Sequence, residues 1–306
     1  MPEDVNRVSL REEAAFQLAN VTKTAPQFGA ITPRWLVRFL DWKPLEAGTF
    51  RVNKVNESKV IESLCAHEDE TPLPTTFADY QDTPREYRLG SINAVLNVHT
   101  RVSDLLSNPY DQVREQLRIL IESVKEKQES ELVNNADYGL LNNVPDEQKI
   151  KTRKGAPTPD DLDEMLVKVW KEPSLFLAHP RAIAAFGREC TRRGVPPPTV
   201  TLFGTPFLTW RGVPLIPSDK IGIRSKDHTT KILLVRVGEK KQGVVGLFQP
   251  GLPGEQSPGL SVRFMGIDQR SLASYLVSLY CSAAVLTDDA IALLEDVNVG
   301  QYHEYK

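Results

Sequence analysis

The residues best suited to chemistry stand together at Cys65-Ala66-His67-Glu68-Asp69-Glu70, a thiol and an imidazole beside three carboxylates. Thiolate and imidazole are metal ligands, and a neighbouring imidazolium can lower a thiol's pKa into the reactive range. The same string also describes an acidic exposed loop in which Cys65 is an apolar contact, because a free cysteine packs as a small hydrophobe. A second acidic group, Asp160, Asp161, Asp163 and Glu164, has the composition of an acid–base site. It follows Thr158-Pro159, a helix-start signal, and carboxylates in a first helical turn are favoured by the macrodipole without any catalytic role. Arg192 and Arg193, just before Gly194, read as cations at a helix C-terminus, and Lys240-Lys241 as a solvated turn.

The rest of the reactive inventory is thin. The five histidines, His67, His99, His179, His228 and His303, are nowhere spaced as two metal ligands on one helix or turn. Cys65, Cys190 and Cys281 are odd in number and far apart, which fits a reducing compartment better than a disulfide framework. No phosphate-binding glycine loop, nucleophile-elbow serine, Cys-x-x-Cys or His-Glu-x-x-His string occurs. No catalytic, cofactor-binding or metal-ligating residue is therefore assigned, and no cofactor is expected.

Composition narrows the class of partner. A formal charge of −3 lacks the basic surplus that counterion release from a nucleic acid requires. The start, Met1-Pro2-Glu3-Asp4, is acidic where a signal peptide is basic and then apolar, so a cytoplasmic protein is expected. The sequons at Asn20 and Asn56 carry no weight without secretion. The uncharged stretch Ser271 to Thr287 contains several serines and is shorter than the ~20 apolar residues of a membrane span. It is expected to be a buried helix, and no membrane insertion is expected.

The elements that would position these groups follow from periodicity. Leu10 to Asn20 has helical spacing, and the aromatic run Trp35 to Trp42 reads as core or subunit contact. Thr49 to Val60 and Phe77 to Ile92 favour strands, joined by the acidic, proline-containing segment Glu62 to Thr76. Such a two-stranded arm cannot bury enough surface to persist alone, so a neighbouring subunit is its expected stabiliser. Pro109 to Leu132 is the clearest helix, its apolar stripe backed by Arg114, Glu115, Arg118, Glu122, Lys125, Glu126, Lys127 and Glu129, a face expected to be solvated. A helix from Thr158 to Trp170, a strand Leu175 to Ala178, a helix Pro180 to Arg193 and short strands about Arg211-Gly212 follow. Lys231 to Val237 and Gly243 to Phe248 read as buried strands about a polar turn, Leu260 to Phe264 alternates strictly, and Thr287-Asp288-Asp289 reads as a helix cap.

In order, these elements resemble the Hong Kong 97-type (HK97-like) capsid fold of tailed bacteriophages, an α+β architecture. Longer strings are more specific. Ile31 to Leu36, Val98 to Leu105, Ala156 to Leu162, Ile183 to Glu189, Leu208 to Lys220 and Gly243 to Leu252 resemble family 2 encapsulin shell proteins. The resemblance is to the branch without an inserted cyclic-nucleotide-binding domain, whose members enclose a cysteine desulfurase. It implies a structural shell protein, not an enzyme: a homo-oligomer closing into an icosahedral nanocompartment of about sixty copies, with a role in sulfur storage or metabolism. Relatives have also been called major membrane proteins, a label the hydropathy does not support. The implied domains are an N-terminal arm (1–48), an extended two-stranded loop (49–92), a peripheral domain with a spine helix (93–155), an axial α/β domain (156–252) and a peripheral return with the C-terminus (253–306). Pore-lining and cargo-contacting residues are not assigned. The readings from other classes are an enzyme built on Cys65 and His67, and a membrane-associated structural protein.

If the arm's partner is a neighbouring subunit, deleting part of Val60 to Thr76 should impair assembly more than subunit folding. Sedimentation resolves this: intact shells from the deletion would contradict it.

Overall fold

A computed structural model describes residues 31–46, 48–54, 79–99 and 112–302. The helix read at Leu10 to Asn20, the arm connection with Cys65 to Glu70, and the helix start at Asn108-Pro109 lie outside the described residues.

The chain opens with a short helix α1 (Trp35–Phe39) and strand β1 (Asp41–Pro44), then β2 (Thr49–Val52), β3 (Arg85–Arg88) and the ten-residue β4 (Gly90–His99). Phe50 sits opposite Tyr87 where β2 and β3 pair antiparallel. The long helix α2 (Gln112–Asn134) follows, then β5 (Lys149–Lys151), helix α3 (Pro159–Lys168), β6 (Leu175–Ala178) and helix α4 (Pro180–Arg192). Strands β7 (Thr199–Leu202), β8 (Thr205–Trp210), β9 (Val213–Pro217) and β10 (Thr229–Val235) lead into β11 (Val244–Phe248), β12 (Glu255–Ser257), β13 (Leu260–Ile267), β14 (Leu272–Val285) and β15 (Ile291–Asn298).

Among the described residues the strands make two large sheets. One runs in the order β5-β15-β10-β6-β9-β8-β7. Its central strands are apolar on both sides, as expected where both faces are covered. Phe176, Ile232, Leu234, Ala292 and Leu294 face α3 and α4 through Leu162, Met165, Ala182 and Phe186. Their alternates Leu175, Leu177, Leu233, Val235 and Leu293 face Trp35, Leu36, Leu132 and Leu140, so the aromatic run at Trp35 belongs to the core.

The second sheet is organised by β14. Residues 272–281 pair with β4 on one side; on the other, 273–279 pair with β13 and 281–285 with β11. Helix α2 covers one face, with Leu117, Leu120, Ile121 and Val124 against Ile92, Ala94, Val277, Leu279 and Cys281. Strand β1 lies parallel to β11, and Gly246 is required there, because a Cβ would come within 2.7 Å of the Trp42 ring.

The expectation of a buried helix at Ser271 to Thr287 is corrected: the segment is a fourteen-residue strand. Ser274, Ser278 and Ser282 recur every four residues, a spacing that suits one stripe of a helix and one face of a strand equally. Pairing with three partner strands decides the matter. The cap read at Thr287 is corrected likewise: Asp288–Ala290 is a single 3₁₀ turn leading into β15.

The strands on either side of the polar turn 238–242 enter different sheets. The chain crosses from β10 to β11 through 236–243 and returns from β14 to β15 through 286–290, and the two crossings run side by side. Arg236 N donates to Ala290 O at 2.8 Å and Leu286 N to Gly243 O at 3.2 Å. A Cβ on Gly243 would lie 2.3 Å from Arg236 O, so only glycine lets the backbones approach. Between them the Arg236 side chain, 1% exposed, donates to Asp289 at 2.7 Å and Thr287 Oγ1 at 2.8 Å.

Burial alone would raise the Asp289 carboxyl, but hydrogen bonds from Arg236, Thr287 and Lys171 outweigh it and hold the group well below the usual carboxylate range. Asp289→Ala would strand a buried guanidinium and should cost about 3–5 kcal/mol, whereas replacing Arg236 and Asp289 together by leucine should recover much of that loss. Urea titrations of both variants check this. Because the folded carboxyl binds its proton less tightly than the unfolded one, its stabilisation should be full above the ordinary carboxylate pKa and fade on acidification below it.

Candidate assembly surfaces

Helix α2 carries Glu122, Glu126 and Glu129 at i, i+4 and i+7, one stripe of a 3.6-residue period. The expectation of a solvated face is corrected for these three. Residues 32–36, which precede and begin α1, lie along them. Glu122 accepts from Arg34 at 2.7 Å. Glu126 accepts from the Thr32 amide and hydroxyl at 2.9 Å each, from Arg34 at 3.2 Å and from Lys220 at 2.9 Å. Glu129, only 2% exposed, accepts from Leu36 N at 3.0 Å. The stripe thus joins the N-terminal segment, the spine helix and the loop after β9. Burial pushes Glu126 up, yet bonds from Lys220 and Thr32 bring it net below its usual value. For Glu129 burial prevails over the single Leu36 amide and raises the carboxyl to about 7.

The residues that suggested chemistry have structural partners. Thr158 and Asp161 form a reciprocal capping box at the start of α3, with Thr158 N donating to Asp161 at 2.9 Å. Asp160 pairs with Arg193, Asp163 accepts from Trp210 Nε1 at 2.7 Å, and Glu164 pairs with Arg153. Arg192 pairs with Glu189 at 3.0 Å and Lys241 with Glu172 at 3.3 Å. His179 caps α4 through Nδ1, and burial lowers its pKa. His99 ends β4 opposite Leu272, and His228 lies in a loop with φ of 53°. Burial pushes the Cys190 thiol up to about 11 and Cys281 up to about 12, so neither is poised as a thiolate. Cys65, His67 and His303 lie outside the described residues. Among the described residues no His, Cys, Asp and Glu side chains gather in a metal-holding group, and no helix is long and apolar enough to cross a membrane.

Apolar side chains left in water remain. The end of the β4–β14–β13 ribbon, beyond the part roofed by α2, exposes Val95, Phe264, Met265 and Ile267, the last two at 59% and 60%. Phe264 leans on Tyr275 with ring centroids 5.4 Å apart. Val167 and Trp170 are exposed at the end of α3, with Trp170 at 70%. Clustered exposed apolar groups of this kind mark contact surfaces. Sequence reasoning did not single out either group; the break in alternation at Phe264-Met265 was the available signal.

Comparison with known proteins identifies the family. Residues 46–301 match the family model described as type 2A encapsulin shell protein, SrpI-like. The chain is 65% identical to the type 2A encapsulin shell protein SrpI of Synechococcus elongatus, covering 100% of this chain and 99% of that one. It is 60% identical to a type 2A encapsulin shell protein of Mycolicibacterium paratuberculosis over 97% of each. The cryo-EM structure of the holo-SrpI encapsulin complex from Synechococcus elongatus PCC 7942 superposes with a TM-score of 0.84 at 64% identity, covering 97% of this chain and 99% of that one. The capsid of a native GTA particle shares the fold alone, with a TM-score of 0.61 at 13% identity over 94% of this chain and 100% of that one. The architecture is therefore the HK97-like capsid fold, the named relatives are structural shell proteins and not enzymes, and the chain belongs to the SrpI-like family of type 2A encapsulin shell proteins.

Proposed function

We propose that copies of this chain close into a cytoplasmic icosahedral shell of about sixty subunits that encloses a cysteine desulfurase, in the service of sulfur storage or metabolism. The observation that carries the reading is the 65% identity to SrpI along the whole chain, with a solved relative described as a holo complex. The desulfurase itself comes from the resemblance to the branch that encloses one. In this reading the N-terminal arm (1–48) and the extended loop (49–92) interlock neighbours. The segments 93–155 and 253–306 form the peripheral domain about the spine helix, and 156–252 forms the axial domain whose loop tips gather at symmetry axes. Shell closure follows from heterologous contacts whose rotations close, and small pores lined by those loop tips would admit solutes by size and charge.

Negative-stain microscopy of the chain expressed alone, without detergent, is expected to show uniform hollow particles; a monomer or small oligomer would overturn the shell. Coexpression with a cysteine desulfurase from the same genome should give an enzyme that sediments with the shell and resists added protease. Empty shells beside free desulfurase would remove the cargo assignment and leave the shell standing.

In this reading the exposed apolar ribbon end, with Phe264, Met265 and Ile267, meets a neighbouring copy. Ile267→Asp and Phe264→Asp each place a charge where an apolar contact is expected, and each should abolish or strongly reduce assembly while circular dichroism stays that of a folded subunit. Normal shells from both variants would exclude this surface from the interface.

A further inference from the structure

Among the described residues Glu129 is the one carboxyl of the spine stripe that lacks a cationic partner, and the charges around it are already balanced. From α2 itself Glu122 and Glu126 face the cluster together with Lys125, which lies 3.7 Å from Glu122. From the N-terminal segment comes Arg34, and from the loop after β9 come Lys220 and Asp219, themselves paired at 2.9 Å. Three anions thus meet three cations before Glu129 is counted. Nearby Arg38 is engaged over the Trp35 ring at 5.0 Å, Glu131 is paired with Lys127 at 2.8 Å, and Cys281 beneath the helix carries a neutral thiol. An ionised Glu129 would be a fourth anion, shielded from water and, among the described residues, bonded only to the Leu36 amide.

We propose that the seat of the N-terminal segment on the spine helix is a proton-linked catch, held when Glu129 is protonated and loosened when it ionises. Protonated Glu129 still accepts the Leu36 N–H through its carbonyl oxygen, so the bond that starts α1 survives without the uncompensated charge. Burial lifts this carboxyl to about 7 in the seated state; unseated and wet, it returns toward the ordinary 4.5. The seated state therefore binds the proton more tightly. Seating is strongest below the ordinary value, weakens as pH rises through the interval up to about 7, and is flat above it. Glu126 works in the opposite direction and in a different window, since its carboxyl is lowered and its contribution fades only on stronger acidification. The catch lies within one subunit and is independent of the identity of any cargo.

Hydrogen exchange of the Leu36 amide in assembled shells, corrected for the intrinsic rate, tests it. Protection in the wild type is expected to fall by roughly tenfold per pH unit toward neutrality and then level off. Glu129→Gln keeps the acceptor oxygen and cannot titrate, so its protection should be independent of pH. Glu126→Gln should lower protection at every pH and keep the slope. A wild-type profile without slope, or a Glu129→Gln profile that retains it, would overturn the proposal. Should Glu129→Gln fail to fold, infrared spectra of wild-type shells decide. A protonated-carboxyl band present at mildly acidic pH and lost above neutrality supports the catch, and its absence at mildly acidic pH refutes it.

Discussion

The two sheets of this subunit are held in one body by the crossing at Arg236 and Asp289. The chain leaves the seven-stranded sheet beside Arg236 and re-enters it beside Asp289, and the guanidinium bonded across that pair fixes where each crossing lies. Such a buried charge is tolerated because its two terminal nitrogens donate to Asp289, Thr287 and the backbone carbonyls of Lys171 and Gln242. The consequence is directional: the last residue of β10, the turn after it and the entry to β15 must be correct together, or the arginine is left unpaired. The sheet that carries α3 and α4 and the sheet that carries α2 are in this way tied by a polar cluster beside an apolar core that both share.

Around that junction, division of labour is visible in what each surface buries. The seven-stranded sheet is covered on both faces and has no apolar area left over at its centre. The six-stranded sheet has one face under α2, and at its far end Phe264, Met265 and Ile267 are exposed. Exposed apolar groups clustered in this way suit contact with other copies, and the family to which the chain belongs is one of shell proteins.

The stripe Glu122, Glu126 and Glu129 shows how a helix face can be polar in composition and interior in position. Its carboxylates bond two segments distant in sequence, residues 32–36 and Lys220, and the proton affinities of Glu126 and Glu129 diverge because, among the described residues, the first has cationic donors and the second an amide. Stability of the N-terminal seat and the local electrostatics are therefore one property and not two.

Much of this was written in the sequence. The capping box at Thr158 and Asp161, the helix Pro180–Arg192, the apolar run Leu175–Ala178 and the hairpin at Arg211-Gly212 are set by neighbours within a few residues, where propensity and periodicity act directly. The shell-protein strings from Ile31 onward carried the family, and the sparse histidines and cysteines left no reaction centre to assign. What only the tertiary structure decided were matters of long-range partnership. Leu272–Val285 became a strand because β4, β11 and β13 pair with it, although serines spaced by four suit a helix as well. Glu129 became a buried group because residues 32–36 lie over it, and Arg236 became a hub because Asp289 returns to it from the other sheet. Local sequence constrains dihedrals and faces; it does not state which distant segment will cover a face, and that choice fixes burial, charge and contact.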